Sequence, residues 1–190
     1  VVVYDNHRGS TGYGERFVLL LQNKYFSKWD FADHMSGVDA MIAKGFVDPD
    51  KLYITGGSAG GIASAYAIGL TDRFKAAVVA KPVINWISKV LTADSYLGQI
   101  PFQFPGMPWD NFEHYWERSP LSLVGNVTTT TMLITGENDR RTPISEKEQY
   151  YQALKLRKVD TIIVRVPGYP RGSAGKHSKM DAKIEKILAW

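Results

Sequence analysis

Tyr53-Ile54-Thr55-Gly56-Gly57-Ser58-Ala59-Gly60-Gly61 is the stretch on which the fold turns. The residues from Lys51 to Thr55 predict a strand, and those from Ala59 to Leu70 a helix whose small side chains can pack closely on a sheet. Between them stands Gly56-x-Ser58-x-Gly60. A serine on a sharp strand-to-helix turn takes a strained backbone, and glycines two positions to either side leave room for the close approach. Such a turn pushes the hydroxyl out of the C-terminal edge of the sheet. It also aims the backbone N–H of Ala59, at the helix N-terminus, toward a developing oxyanion. The bland alternative is a glycine-rich turn that packs tightly or holds a phosphate. A phosphate loop fails on detail: no Gly-x-x-x-x-Gly-Lys-Ser/Thr occurs, because Gly175-Lys176 is followed by His177 and Pro170 stands where the first glycine belongs.

Outward from this turn, short β-rich runs alternate with helical stretches, which predicts parallel βαβ units and an α/β sandwich. Val1 to Tyr4 reads as a buried strand that runs into the glycine-punctuated loop from Asn6 to Gly14. A helix follows from about Asp30 to Lys44, with Met35, Val38, Met41 and Ile42 on one face and Gly45 as its stop. Further strands are expected at Ala76 to Val83, Thr130 to Thr135 and Thr161 to Val166, which makes five in all. The aromatic- and proline-rich stretch from about 85 to 122 reads as an irregular insertion over one edge of the sheet. Thr142-Pro143 predicts a helix start by N-cap and first-turn proline. The chain closes on an amphipathic helix with Met180, Ile184, Ile187 and Leu188 toward the core. A single α/β domain over 1–190, incomplete at its beginning, accommodates all of these elements.

Leu133-Ile134-Thr135-Gly136-Glu137-Asn138-Asp139 reads as a strand ending in a short polar loop. In the serine-hydrolase layout the order along the chain is serine, acid, histidine, and Asp139 occupies the acid's place. Its work there is to hold an imidazole in the right tautomer and to stabilise the imidazolium. Glu137 competes but lies closer to the strand, and an Asp in a turn that bonds its own backbone is the plainer reading.

These segments resemble the prolyl oligopeptidase family, in particular its acylaminoacyl-peptidase and dipeptidyl-aminopeptidase branch. The resemblance is carried by Asn6-x-Arg8-Gly9-Ser10-Thr11-Gly12-Tyr13-Gly14, by Val47-Asp48-Pro49 through Gly61, by Asp72-Arg73-Phe74-Lys75-Ala76-Ala77-Val78, by Trp116-Glu117-Arg118-Ser119-Pro120-Leu121, and by Thr135-Gly136-Glu137-x-Asp139-x-Arg141-Thr142-Pro143, in family order. It implies an α/β-hydrolase fold, no cofactor, and a serine peptidase acting on short peptides or N-acyl peptides through Ser58.

Two departures from the family pattern stand out. The family's histidine lies in a Pro-Gly-x-x-His-Gly setting, whereas this chain has Pro167-Gly168-Tyr169-Pro170-Arg171-Gly172. A guanidinium stays protonated and accepts no hydrogen bond, so Arg171 cannot deprotonate Ser58. His177, a few residues on, is the only nearby candidate to replace it, although its family-equivalent position is not catalytic. The resemblance also implies that strands preceding Val1 are missing, with the loop that donates a second oxyanion N–H. The gap would lie between the Val1 strand and the Ser58 strand. Another segment, a second copy of the chain, or direct pairing of the two strands would then complete the sheet. The alternatives to a peptidase are a non-catalytic scaffold that kept the fold and lost the base, and a small-molecule esterase. Tyr13, Trp86, Trp109 and Trp116 are candidates to line a pocket, although aromatic residues more often simply pack.

Composition narrows the partners. The chain has 190 residues, 44% of them hydrophobic and 22% charged, which suits a globular domain with a real core. No cysteine is present, which excludes a disulfide scaffold, a cysteine-ligated zinc and a thiol nucleophile; it fits a reducing, cytoplasmic setting. No run of apolar residues is long enough to cross a membrane, and no signal peptide is visible. The net charge is +4, with basic residues gathering toward the C-terminus. They lack the interleaved aromatics or motif of a nucleic-acid reader and are expected to form a solvated face. His7, His34 and His114 read as surface or helix residues, and no pair has metal-ligand spacing.

Overall fold

The sheet consists of four parallel strands in the order β1 (Leu52–Gly57), β2 (Phe74–Ala80), β3 (Thr130–Gly136) and β4 (Thr161–Val166). It is described by a computed structural model that covers residues 1–170 and 184–190. β2 and β3 are central and therefore read as nearly continuous apolar runs, with Ala77, Val79 and Leu133 fully buried. Thr161 starts β4 beside Thr131, and each later residue pairs in step.

Helix α3 (Ala59–Leu70) covers one face of the sheet, and its small residues let it lie close. A Cβ at Gly61 would stand 2.5 Å from the Ala80 carbonyl oxygen, and one at Gly69 would stand 2.5 Å from the Leu123 side chain. Ala65, Ala67 and Ile68 from this helix join Leu52, Phe74, Val79 and Leu133 in the largest core cluster. Helix α2 (Lys28–Ala43), which follows the one-turn α1 (Glu15–Val18), packs on the same cluster through Phe31, Met35, Val38 and Ile42, a spacing of one apolar residue per turn. A capping box between Ser27 and Asp30 starts α2, and the buried Asp30 carboxylate accepts the backbone N–H of Ser27 at 2.7 Å and of Phe26 at 3.0 Å.

Several expectations need correction. Val1 to Tyr4 form no strand: their exposures are 85, 88, 48 and 91%, and β1 pairs on one side only, with β2, among the described residues. A strand is held by its neighbours' hydrogen bonds and by burial, and neither is supplied here. The direct pairing of this segment with the Ser58 strand therefore does not occur, and the described sheet has four strands instead of five. The stretch read as an irregular insertion is largely helical. It contains α4 (Trp86–Thr92), α5 (Tyr96–Gln103), α6 (Phe112–Glu117) and a 3-10 helix (Pro120–Asn126). Its aromatic residues make a second core of their own, built from Trp86, Phe104 and Tyr115, with the Phe104 and Tyr115 rings stacked 3.9 Å apart.

Helix α7 (Ile144–Leu156) begins one residue later than predicted, with Pro143 at the cap position and no side-chain cap. The Thr142 hydroxyl is committed elsewhere, as described below. At the C-terminus, residues 184–189 are helical and Ile187 packs beside Val164 against the cluster of Val78, Ala80, Met132 and Ile134. Ile184 is 47% and Leu188 81% exposed, so two of the residues expected in the core face outward; Met180 lies outside the described residues. Among the described residues no helix is long and apolar enough to cross a membrane, and no cluster of side chains is arranged to hold a metal ion.

Candidate active site

The backbone at Ser58 has φ 60° and ψ −116°. A left-handed residue would normally have ψ near +47°, so this conformation lies outside every broad well open to a residue with a Cβ, and only firm surroundings hold it. Those surroundings are backbone. The Ser58 N–H donates to the Ala80 carbonyl at 2.9 Å, which ties the turn to the end of β2. The Ser58 carbonyl accepts from Ile62 N–H at 3.0 Å and so enters the first turn of α3. A Cβ at Gly56 would fall within the van der Waals shell of the Gly60 carbonyl, whereas one at Gly60 would meet nothing within 4 Å. The crowded pair on this turn is therefore Gly56 and Gly61. Gly60 matters because its main chain comes so near Gly56. Ala59 is the first residue of α3, so its N–H is among those left without a partner inside the helix.

Asp139 lies at the C-terminal end of β3, 3% exposed, while Glu137 beside it is exposed. One Asp139 oxygen accepts the backbone N–H groups of Arg141 at 3.0 Å and Thr142 at 2.9 Å. The other accepts the Thr142 hydroxyl at 2.9 Å. Thr142 is itself braced by the buried Lys147, whose ammonium donates to the Thr142 carbonyl and, at 2.9 Å, to its hydroxyl oxygen. Asp139 does bond its own turn, as the plainer reading supposed, but that bonding also fixes a buried carboxylate at the strand's end. The same loop is stitched to the one that follows β4. Glu137 N–H donates to the Val166 carbonyl at 3.2 Å and Asn138 N–H to the Tyr169 carbonyl at 2.8 Å. Residues 167–170, which lead to Arg171, thus run beside the Asp139 loop. Arg171 and His177 lie outside the described residues.

The other histidines are engaged elsewhere. His34 Nδ1 contacts Asp5 at 2.9 Å and His7 Nδ1 contacts the Arg8 carbonyl at 2.6 Å. His114 sits 3.0 Å from the Arg118 guanidinium, and burial together with that charge lowers its pKa.

A cavity of about 230 Å³ opens beside Ser58 and Ala59. Phe26, Ile62, Val83 and Trp86 form its apolar wall, while Lys89, Gln99 and Gln103 line its polar side. Of the four aromatic residues singled out from the sequence, only Trp86 borders it; Tyr13 is 58% and Trp109 68% exposed, and Trp116 stacks on Phe112 at the surface. The wall is held from behind by buried polar groups. The Glu146 carboxylate accepts the N–H groups of Ile84 at 2.9 Å and Asn85 at 2.8 Å and the Ser88 hydroxyl at 2.5 Å, which fixes the start of α4 and with it Trp86. Burial raises the pKa of Glu146 despite these bonds. Arg118, 1% exposed, donates to the carbonyls of Tyr25 at 2.8 Å and Gln103 at 2.6 Å and so joins the loop before Phe26 to the end of α5. Its burial lowers its pKa to about 10.

The sequence reading missed Gly61, Phe26, Thr142 as a clamp, and the buried Lys89, Glu146 and Lys147. Small size next to the turn was a usable signal for Gly61. A charged residue carries no mark of burial in sequence, because most such residues are solvated.

With this geometry in view, comparison with known proteins decides the lineage. The profile of the prolyl oligopeptidase family matches residues 1–190. The chain belongs to that family. Among relatives of this prolyl oligopeptidase family chain, the uncharacterized peptidase YuxL of Bacillus subtilis (strain 168) is 40% identical over all of this chain and 29% of its own length. The acylaminoacyl peptidase of Pyrococcus horikoshii superposes with a TM-score of 0.88 at 26% identity, over 96% of this chain and 30% of its own. A puromycin-hydrolyzing peptidase of Mycobacterium tuberculosis superposes with a TM-score of 0.89 at 30% identity, over 97% of this chain and 28% of its own. The fold is thus that of the α/β-hydrolases, and the chain spans under a third of the length of these relatives.

Proposed function

We propose that this chain carries the nucleophile and acid of a serine peptidase that cleaves short peptides or N-acyl peptides by acyl transfer through Ser58. The observation that carries the reading is the strained Ser58 turn at the mouth of a cavity, with the Asp139 loop at the same edge of the sheet. In that role the Ser58 hydroxyl attacks the scissile carbonyl and the Ala59 N–H stabilises the resulting oxyanion. Asp139 orients whatever base takes the serine proton. Peptides are favoured over small esters because both the P. horikoshii and the M. tuberculosis relatives are named as peptidases. Among the described residues β1 pairs on one side only, and its other edge is where a further strand, or a second copy of the chain, would complete the sheet. The test is covalent labelling with a fluorophosphonate probe, followed by peptide mapping. Label on Ser58 that disappears in Ser58→Ala supports the reading, and an unlabelled wild type overturns it.

Arg171 favours a second reading, that of a relative with the nucleophile retained and general-base catalysis impaired. Loss of one triad member commonly costs on the order of 10⁶ in kcat. Under that reading Arg171→His raises amidase activity by orders of magnitude, and an unchanged rate refutes it.

A further inference from the structure

Phe26, one wall of the cavity beside Ser58, has φ 58°, a left-handed backbone that a bulky residue rarely takes. Its ring stacks on Trp86 with centroids 5.7 Å apart, so its backbone decides where that wall stands. The peptide between Tyr25 and Phe26 is gripped at both ends by buried charged side chains. The Tyr25 carbonyl accepts from Arg118 Nε at 2.8 Å, and the Phe26 N–H donates to the Asp30 carboxylate at 3.0 Å. Arg118 is 1% and Asp30 3% exposed. Turning this peptide over toward a negative φ at Phe26 would part both charge-assisted bonds at once. Arg118 Nη1 also donates to the Gln103 carbonyl at 2.6 Å and to His114 Nε2 at 3.0 Å, and the guanidinium lies 4.4 Å from the centroid of Phe104. Phe26 and Gln103 both line the cavity, whereas Arg118 stands behind the lining.

We propose that Arg118 is a positioning residue for the Ser58 site: with Asp30 across the shared peptide, it holds Phe26 left-handed and so sets the shape of the cavity. The inference rests on the serine-peptidase reading for its consequence in catalysis, while the hold on Phe26 stands on geometry. A cation facing the peptide oxygen and a carboxylate facing its N–H both align with the peptide dipole, so each bond strengthens the other. Burial keeps both bonds from being screened by solvent. The strain at Phe26 persists because two charged partners over-determine one peptide. Apolar contacts of the ring alone would let the backbone relax and the wall move with it.

Hydrogen exchange tests the hold without any need for turnover. The N–H groups of Phe26 and Ser58 are followed together by NMR at pH 7 in the parent and in Arg118→Met. The Phe26 N–H is expected to exchange at least about tenfold faster relative to Ser58, the factor a hydrogen bond to a charged group carries, although its own acceptor Asp30 is untouched. Arg118→Lys, which keeps the charge but not the fork that reaches two carbonyls, should lie between the two. An unchanged ratio overturns the proposal, and so does equal acceleration of both groups, which a merely structural role would give. Should Arg118→Met fail to fold, Arg118→Lys must still raise the ratio above the parent's. The consequence at Ser58 is read from phosphonylation by a phenyl-bearing fluorophosphonate and its methyl counterpart. Arg118→Lys should slow the bulky reagent several-fold more than the small one, and equal slowing of the two refutes a role in shaping the site. A parent that takes no label overturns the peptidase reading, and the exchange ratio alone then decides the hold on Phe26.

Discussion

The Ser58 turn and the Asp139 loop stand at the same edge of one sheet, yet they are held in different ways. The Ser58 turn is fixed by main chain against main chain: Gly56 against Gly60, Gly61 against Ala80, and a hydrogen bond from Ser58 N–H to the Ala80 carbonyl. The Asp139 loop shares main-chain hydrogen bonds with the loop after β4, but its carboxylate is fixed by polar bonds, among them one to the Thr142 hydroxyl with the buried Lys147 behind it. Steric crowding of backbone cannot relax without moving a strand or a helix. A hydrogen-bonded clamp can lose one member and keep the rest. The nucleophile's place should therefore fail abruptly on substitution, and the acid's place by degrees.

The largest effect expected is at Gly56. Gly56→Ala drives a methyl group into the Gly60 carbonyl, and overpacking against backbone at this closeness should cost about 4 kcal/mol or more. Gly60→Ala, two residues past the serine, meets nothing within 4 Å and should leave the urea midpoint unchanged or slightly higher, since alanine favours a helix over glycine by about 1 kcal/mol. Equal destabilisation of the two variants would break the steric account of the turn.

In the acid's loop, Thr142→Val keeps the shape and removes the hydroxyl from both Asp139 and Lys147. Leaving buried polar groups short of a partner should cost about 2 kcal/mol by denaturant melting. Thr142→Ser retains the hydroxyl and should recover most of that loss. A Val variant as stable as the parent would show that the clamp is incidental.

Relief of strain gives a smaller effect of opposite sign. Ser58→Gly permits φ 60° and ψ −116° without a Cβ, so it should be about 1 kcal/mol more stable than Ser58→Ala, although neither can be labelled. No difference between the two variants would mean that the turn holds the serine without strain.

The contrast also explains what was legible in the sequence. The Ser58 turn was legible because glycines flank the serine at fixed offsets, and steric demands admit no Cβ at Gly56, although they would at Gly60. β2 and β3 were legible because central parallel strands must be apolar on both faces. Val1 to Tyr4 have the composition of a strand, but a strand exists only with a neighbour, which no local pattern reports. Thr142 before Pro143 has the residues of a helix cap. Its hydroxyl turns to a carboxylate three positions back, a choice that depends on the burial of Asp139. Lys89 and Lys147 look like solvated lysines until the fold closes over them.

The smallest predicted effect extends the comparison to the loop that carries Arg8. There a charged pair does the work: the Arg8 guanidinium donates to Asp33 at 2.7 and 2.6 Å, and the Arg8 N–H donates to the same carboxylate at 2.9 Å. These hydrogen bonds from Arg8 hold the Asp33 carboxyl below the usual carboxylate range. The sign follows from that lowering. Stability from the pair is complete above the unfolded-state value near pH 4 and is lost as pH falls through the lower folded-state value. The side chains are 34% and 22% exposed, so solvent screening limits the contribution to about 1 kcal/mol. Hydrogen exchange at Gly9, whose N–H donates to the Phe17 carbonyl at 3.0 Å, should accelerate relative to Ser58 N–H as pH falls below 4, after correction for intrinsic rates. Asp33→Asn should show that faster relative exchange already at pH 7 and lose the pH dependence. If Gly9 and Ser58 stay in constant ratio across the range, charge does not hold this loop, and backbone sterics must be credited here as well.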